Sequence, residues 1–134
     1  LPRITARLAK LNPAPTRHIP ILIRGQGERR TLPLVARHAD IWHGFTTPQT
    51  YPGKAALLDG YCRDLGREPN EVERSAGVEN NSGVARGEGT AALLANADAL
   101  AAHGVTLLTI GVNGPDYDLT AAQTLCRWRD QRSG

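Results

Sequence analysis

A chain of 134 residues, 40% hydrophobic and 22% charged, is long enough to bury a core and falls within the size of one soluble globular domain. Its formal net charge of +3 is spread along the sequence, which suits small anions better than nucleic acid, and 4% aromatic residues are too few for a base-stacking platform. No run approaches the length of a membrane-spanning helix and no signal peptide is visible, so a cytoplasmic protein without membrane partners is expected.

The chain begins at Leu1 and contains no methionine, so it is expected to be a piece of something longer. Leu1 to Lys10 forms a short amphipathic helix through Ile4, Leu8 and Leu11, closed by Pro13 and Pro15. Residues 1–18 read as a connector and 19–134 as the domain. The first strand, Ile19 to Arg24, is apolar except at its last residue, and a strand without alternation is expected to be buried on both faces. Arg24-Gly25-Gln26-Gly27 leads into a helix that carries Leu32, Val35, Ala36 and Ala39 at helical spacing, with Arg29, Arg30 and Arg37 outward. Pro33 leaves two starts open: Thr31 as N-cap with Pro33 in the first turn, or a start at Glu28 with a bend. The second strand runs from Asp40 to Phe45. A helix follows over about Pro52 to Leu65, with Leu58, Tyr61, Cys62 and Leu65 on one face and Gly66 as its cap.

One helical turn at Glu71 to Glu73 precedes a short strand, Arg74 to Glu79, and Asn80 to Gly89 is irregular. Thr90 caps a helix that buries Leu93, Leu94, Ala97, Leu100 and Ala101 and ends at Gly104. Val105 to Val112 is the clearest strand, and Asn113-Gly114-Pro115-Asp116 turns away from its end. Asp118 caps the last helix, which carries Leu119, Ala122, Leu125, Cys126 and Arg129, with Trp128 half exposed. Cys62 and Cys126 both fall on apolar helix faces, so buried free thiols in a reducing compartment are expected.

Four strands each followed by a helix require parallel pairing, because parallel strands need crossovers of a dozen or more residues. The fold class is α/β: half of an eightfold barrel, which needs about 250 residues in full, or a small doubly wound sheet. Either way the loops after Arg24, Phe45, Glu79 and Val112 gather on one rim. In such units the loop after a strand binds the ligand. Gly25 and Gly27 let two or three amides point at one anion, and the following helix start adds its positive dipole end, so phosphate is the natural guest. The plain alternative is a tight turn; the dinucleotide fingerprint fails for want of a third glycine where Arg30 stands. His43, Thr46, Glu79 and Asn113 sit at strand ends and are the candidates for lining a substrate, against ordinary loop hydrogen bonding. His18, His38, His43 and His103 have no ligand spacing, so no metal is expected. Ser75 and Ser82 lack the nucleophile-elbow context of hydrolases.

The stretch P-I-L-I-R-G-Q-G-E-R-R-T-L-P-L-V-A-R-H-A-D-I-W, Pro20 to Trp42, resembles the bacterial luciferase-like flavin and deazaflavin oxidoreductases. In that family a strand ends in a glycine-rich turn and an A-R-x-A-D-x-W pattern follows. The segments R-D-L-G-R-E-P-N-E-V-E-R-S and H-G-V-T-L-L-T-I-G-V are similar to the family's later units, in matching order. The resemblance implies the C-terminal half of a (β/α)8 barrel, an oxidoreductase using coenzyme F420, or alternatively FMN, which supports monooxygenation. It places the cofactor's phosphate at Gly25, Gln26, Gly27 and the amide of Glu28. Arg24 stands where family members often carry glycine, and its guanidinium suits phosphate. The family's first four strands supply much of the isoalloxazine pocket and are absent here. A small-molecule substrate and a partner are therefore implied, either the missing N-terminal half barrel or a second copy of the chain, with little hydride transfer by this chain alone. The alternative is a noncatalytic half barrel that binds phosphate or drives oligomerisation.

Overall fold

Aliphatic runs become short parallel strands, and the amphipathic segments between them become helices laid on one face of the sheet. The computed structural model of the protein describes residues 2–78, 89–112 and 117–132. The elements are α1 (Pro2–Leu8), β1 (Leu22–Arg24), α2 (Thr31–His38), β2 (Ile41–Gly44), α3 (Tyr51–Asp64), a 3-10 turn (Pro69–Glu71), β3 (Glu73–Gly77), α4 (Thr90–Ala102), β4 (Leu107–Thr109) and α5 (Thr120–Arg132). Candidate residues Glu79 and Asn113, with most of the expected Asn80 to Gly89 loop and the Asn113 to Asp116 turn, lie outside the described residues.

The sheet is parallel, with strand order β1-β2-β3-β4. A doubly wound sheet reverses its strand order partway, and this one does not. Right-handed crossovers that always step in the same direction put the helices on one side, as in part of a barrel. Among the described residues β1 and β4 each pair on one side only, so the sheet is open. The register aligns Ile23 with Trp42 and Trp42 with Arg74, and this row meets the helices: the Trp42 ring stacks on Tyr51 at 5.7 Å, and Arg74 Nη2 donates to Asp59 Oδ1 at 2.7 Å. Alternation then sends the row Arg24, His43, Ser75 and Leu107 to the opposite, inner face.

The core lies between helices and sheet, with Leu32, Val35, Trp42, Tyr51, Leu58, Leu93 and Leu100 all essentially inaccessible. Tyr51 is enclosed so completely that burial pushes its phenol up to about 12. The A-R-x-A-D-x-W pattern acquires a physical reason at four of its five fixed positions, the exposed Arg37 being the exception. Ala36 and Ala39 are fully buried, where a larger side chain would hold helix and sheet apart. Asp40 Oδ2 accepts the Ile21 amide at 2.7 Å, fastening the entry of β1 to that of β2. Trp42 Nε1 donates to the Gly25 carbonyl at 2.7 Å.

Several sequence expectations are corrected. β1 is not buried on both faces: three residues are extended, Leu22 is 43% exposed, and Ile19 falls outside the strand. It is an edge strand whose inner face has no covering layer among the described residues, and an apolar run records the residue type without recording whether a second layer is present. β4 is likewise cut to three residues. Thr31 is the first helical residue of α2 rather than its cap, and Pro33 sits in the first turn, where its missing N–H breaks no helical bond. Thr90 likewise follows its cap, Gly89, whose φ of +93° suits glycine. The helical turn before β3 lies earlier than expected, at Pro69–Glu71, set by the proline at its start. Leu65 is 46% exposed because it follows the last turn of α3. Cys62 is buried, but Cys126 is exposed, since α5 buries no residue fully. Asp118 does cap α5, its Oδ1 accepting the Thr120 amide at 2.9 Å. No described helix is long and apolar enough to cross a membrane.

Candidate functional site

The turn between β1 and α2 is held from below. Gly25 adopts φ +121°, closed to other residues; its amide donates to the His43 carbonyl at 3.0 Å and its carbonyl accepts the Trp42 indole. Gly25 is therefore spent on shaping the turn, and its N–H is not offered to a ligand. Gly27 is required for a different reason: a Cβ there would lie 2.9 Å from Thr31 Oγ1. The Gly27 carbonyl accepts the amides of both Thr31 and Leu32, at 2.9 and 3.0 Å, which starts the helix.

The backbone N–H groups of residues 26–30 make no hydrogen bond among the described residues, and no side chain caps the helix. These donors border a shallow hollow of about 580 Å³ lined by Gln26, Gly27, Glu28, Arg29, Arg30, Thr31 and Lys54. Three basic side chains, free amides and the positive end of a helix converge there, an arrangement that attracts a multiply charged oxyanion. One carboxylate shares the space: Glu28 Oε1 lies 2.6 Å from Lys54 Nζ, whose hydrogen bond and charge hold the carboxyl below its ordinary range.

Lys54 is the residue that reading the sequence missed. It lies in the first turn of α3, and helix first turns lie at the rim where strands end. The rule that gathered the strand loops on one rim would have found it, had helix starts been counted with the loops.

The other candidates are distributed differently. Arg24 does not line the hollow; its guanidinium stands 4.4 Å over the Phe45 ring on the inner side of the sheet. His43 is buried beside it in register, with Nδ1 and Ser75 Oγ hydrogen-bonded at 2.8 Å and its ring edge-on to Phe45 at 5.6 Å. Thr46 is 7% exposed, and its Oγ1 has no hydrogen-bond partner among the described residues. The structure thus groups Gln26, Gly27 and Glu28 in one anion-attracting hollow and places Arg24 and His43 together on a second, inner surface. Among the described residues no cluster of His, Cys, Asp or Glu is arranged to hold a metal ion.

Among solved structures the chain is similar to the coenzyme F420 dependent tetrahydromethanopterin reductase from Methanopyrus kandleri, with a TM-score of 0.54 at 11% identity. The match covers 79% of this chain and 48% of that one, so the chain spans about half of that reductase. No protein-family profile matches the sequence, and no curated protein matches it either. Likeness at such low identity is likeness of fold, and it agrees with the parallel four-stranded α/β sheet described above.

Proposed function

We propose that residues 19–134 are the cofactor-binding half of a luciferase-like oxidoreductase, with 1–18 as a connector, and that its glycine turn holds the phosphate of a deazaflavin of the F420 type, FMN being the alternative. The observation that carries this reading is the run of unbonded amides at residues 26–30 around a glycine whose Cβ would press to 2.9 Å against Thr31 Oγ1. The fold likeness to an F420-dependent reductase supports it from outside. The residues present fit the phosphate end of such a cofactor: amides and the Arg29, Arg30 and Lys54 cations bind it, and Gly27 allows close approach. When bound, the cofactor supplies or accepts a hydride, and in a full-length parent an organic small molecule is the other partner. Arg24, His43 and Thr46 are this half's contribution to the substrate side.

Leu22 and Phe45 are 43% and 52% exposed, and two strand edges are open; a second half barrel, N-terminal or a second copy, closes that side in this reading. In this reading the protein is a cytoplasmic enzyme that turns over slowly or not at all without that half. A second reading, a noncatalytic phosphate-binding or oligomerisation module, is favoured by the fact that the cations and free amides of the hollow come from two neighbouring segments, the β1–α2 turn and the first turn of α3. Fluorescence titration of the chain with F420, with FMN and with inorganic phosphate in competition decides between them. The cofactor reading expects F420 or FMN to bind more tightly than phosphate alone; equal affinities favour the module, and no binding by any of the three overturns both.

A further inference from the structure

We propose that Glu28 is a built-in competitor for the bound anion, occupying Lys54 until a phosphate displaces it; this rests on the phosphate reading of the hollow given above. Glu28 and Lys54 face each other across the hollow from different elements, the β1–α2 turn and the first turn of α3, twenty-six positions apart in sequence. Their contact is a charge-assisted hydrogen bond of 2.6 Å between groups of unequal freedom. The Glu28 side chain is 54% exposed, so water can take it back at little cost, whereas Lys54 is 25% exposed and held down onto the hollow. A dianionic phosphate entering among the amides of residues 26–30 repels the carboxylate and offers Lys54 a doubly charged partner in its place. The exchange swaps one ion pair for a stronger one and releases Glu28 to solvent.

The consequence is selectivity by charge. A monoanion such as a carboxylate gains little from Lys54 over what Glu28 already provides, whereas a phosphate monoester near pH 7 gains a second charge interaction. The lining holds three cations, Arg29, Arg30 and Lys54, against this single carboxylate. Removing the carboxylate therefore raises affinity for every anion, and for a dianion at least as much as for a monoanion, because the carboxylate repels two charges more than one.

Calorimetric titration with inorganic phosphate and with acetate, at low ionic strength, tests the proposal on the wild-type chain and on Glu28→Gln, Lys54→Met and the double variant, each checked for native circular dichroism. Glu28→Gln is expected to bind phosphate roughly 1.5- to fivefold more tightly, the size of one exposed ion pair, and to lose most of that gain in the Lys54→Met background. A Glu28→Gln chain that binds phosphate no better than wild type, or a gain that persists undiminished without Lys54, overturns the competitor role while leaving the phosphate site standing. Absence of phosphate binding by both the wild type and Glu28→Gln overturns the phosphate reading and this inference together.

Discussion

The two halves of the described chain are built to different standards. From β1 to β3 the helices press their apolar stripes onto the sheet, and the strands are fastened by side chains: Asp40 holds the Ile21 amide, Trp42 the Gly25 carbonyl, and Arg74 bridges Asp59 and the Pro69 carbonyl. From α4 onward β4 is three half-buried residues, α5 buries nothing fully, and Trp128 reaches out to Asp98 rather than inward. The candidate site sits in the tightly fastened half. A hollow whose donors must stay pointed at a ligand needs a turn that does not wander, and the side-chain clasps around Gly25 provide it.

The largest test of this contrast compares the two tryptophans. Trp42→Ala empties the largest fully buried position and unties the glycine turn, so denaturant unfolding should show a loss of about 3–5 kcal/mol. Trp128→Ala should cost less than about 1 kcal/mol, because its ring is half exposed and its one hydrogen bond joins surface groups. Equal losses would break the contrast. The cysteines give the next test. Cys126 should react with a thiol reagent in the native state at the rate of an accessible thiol, while Cys62, buried and with its thiol pushed up by desolvation, should wait for unfolding. Rapid modification of both would show that the first half opens as readily as the second.

The smallest effect is expected at Asp40. The Ile21 amide holds its carboxyl below the ordinary aspartate range, so its contribution to stability is fully present above the unfolded-state value and is lost as pH falls through the lowered folded value. Asp40→Asn should flatten the acid limb of a urea-midpoint profile and leave the neutral region with only a small loss. An unchanged acid limb would mean the clasp does not depend on charge.

Much of this was legible in the residues. The four βα units, the parallel pairing and the importance of the glycine turn followed from spacing, because helix and strand periods and glycine backbone freedom are local properties. The exposure of Leu22 and Cys126 was not, because burial depends on what covers a face, and among the described residues nothing covers Leu22 at the sheet edge or the Cys126 side of α5. Arg24 illustrates the same limit. Its charge suited a phosphate, but strand alternation carries its side chain to the face opposite the helices, away from the hollow, while Lys54, thirty positions further along, reaches it.

The hydrogen bond from the Trp42 indole to the Gly25 carbonyl has a directional consequence. In a trans peptide unit the C=O and the following N–H point in opposite senses, so a carbonyl drawn toward the interior leaves the Gln26 N–H facing outward. An aromatic ring at the centre of the fold thus aims the first unbonded donor of the turn, and the compass bearing of the rim is set from inside the protein.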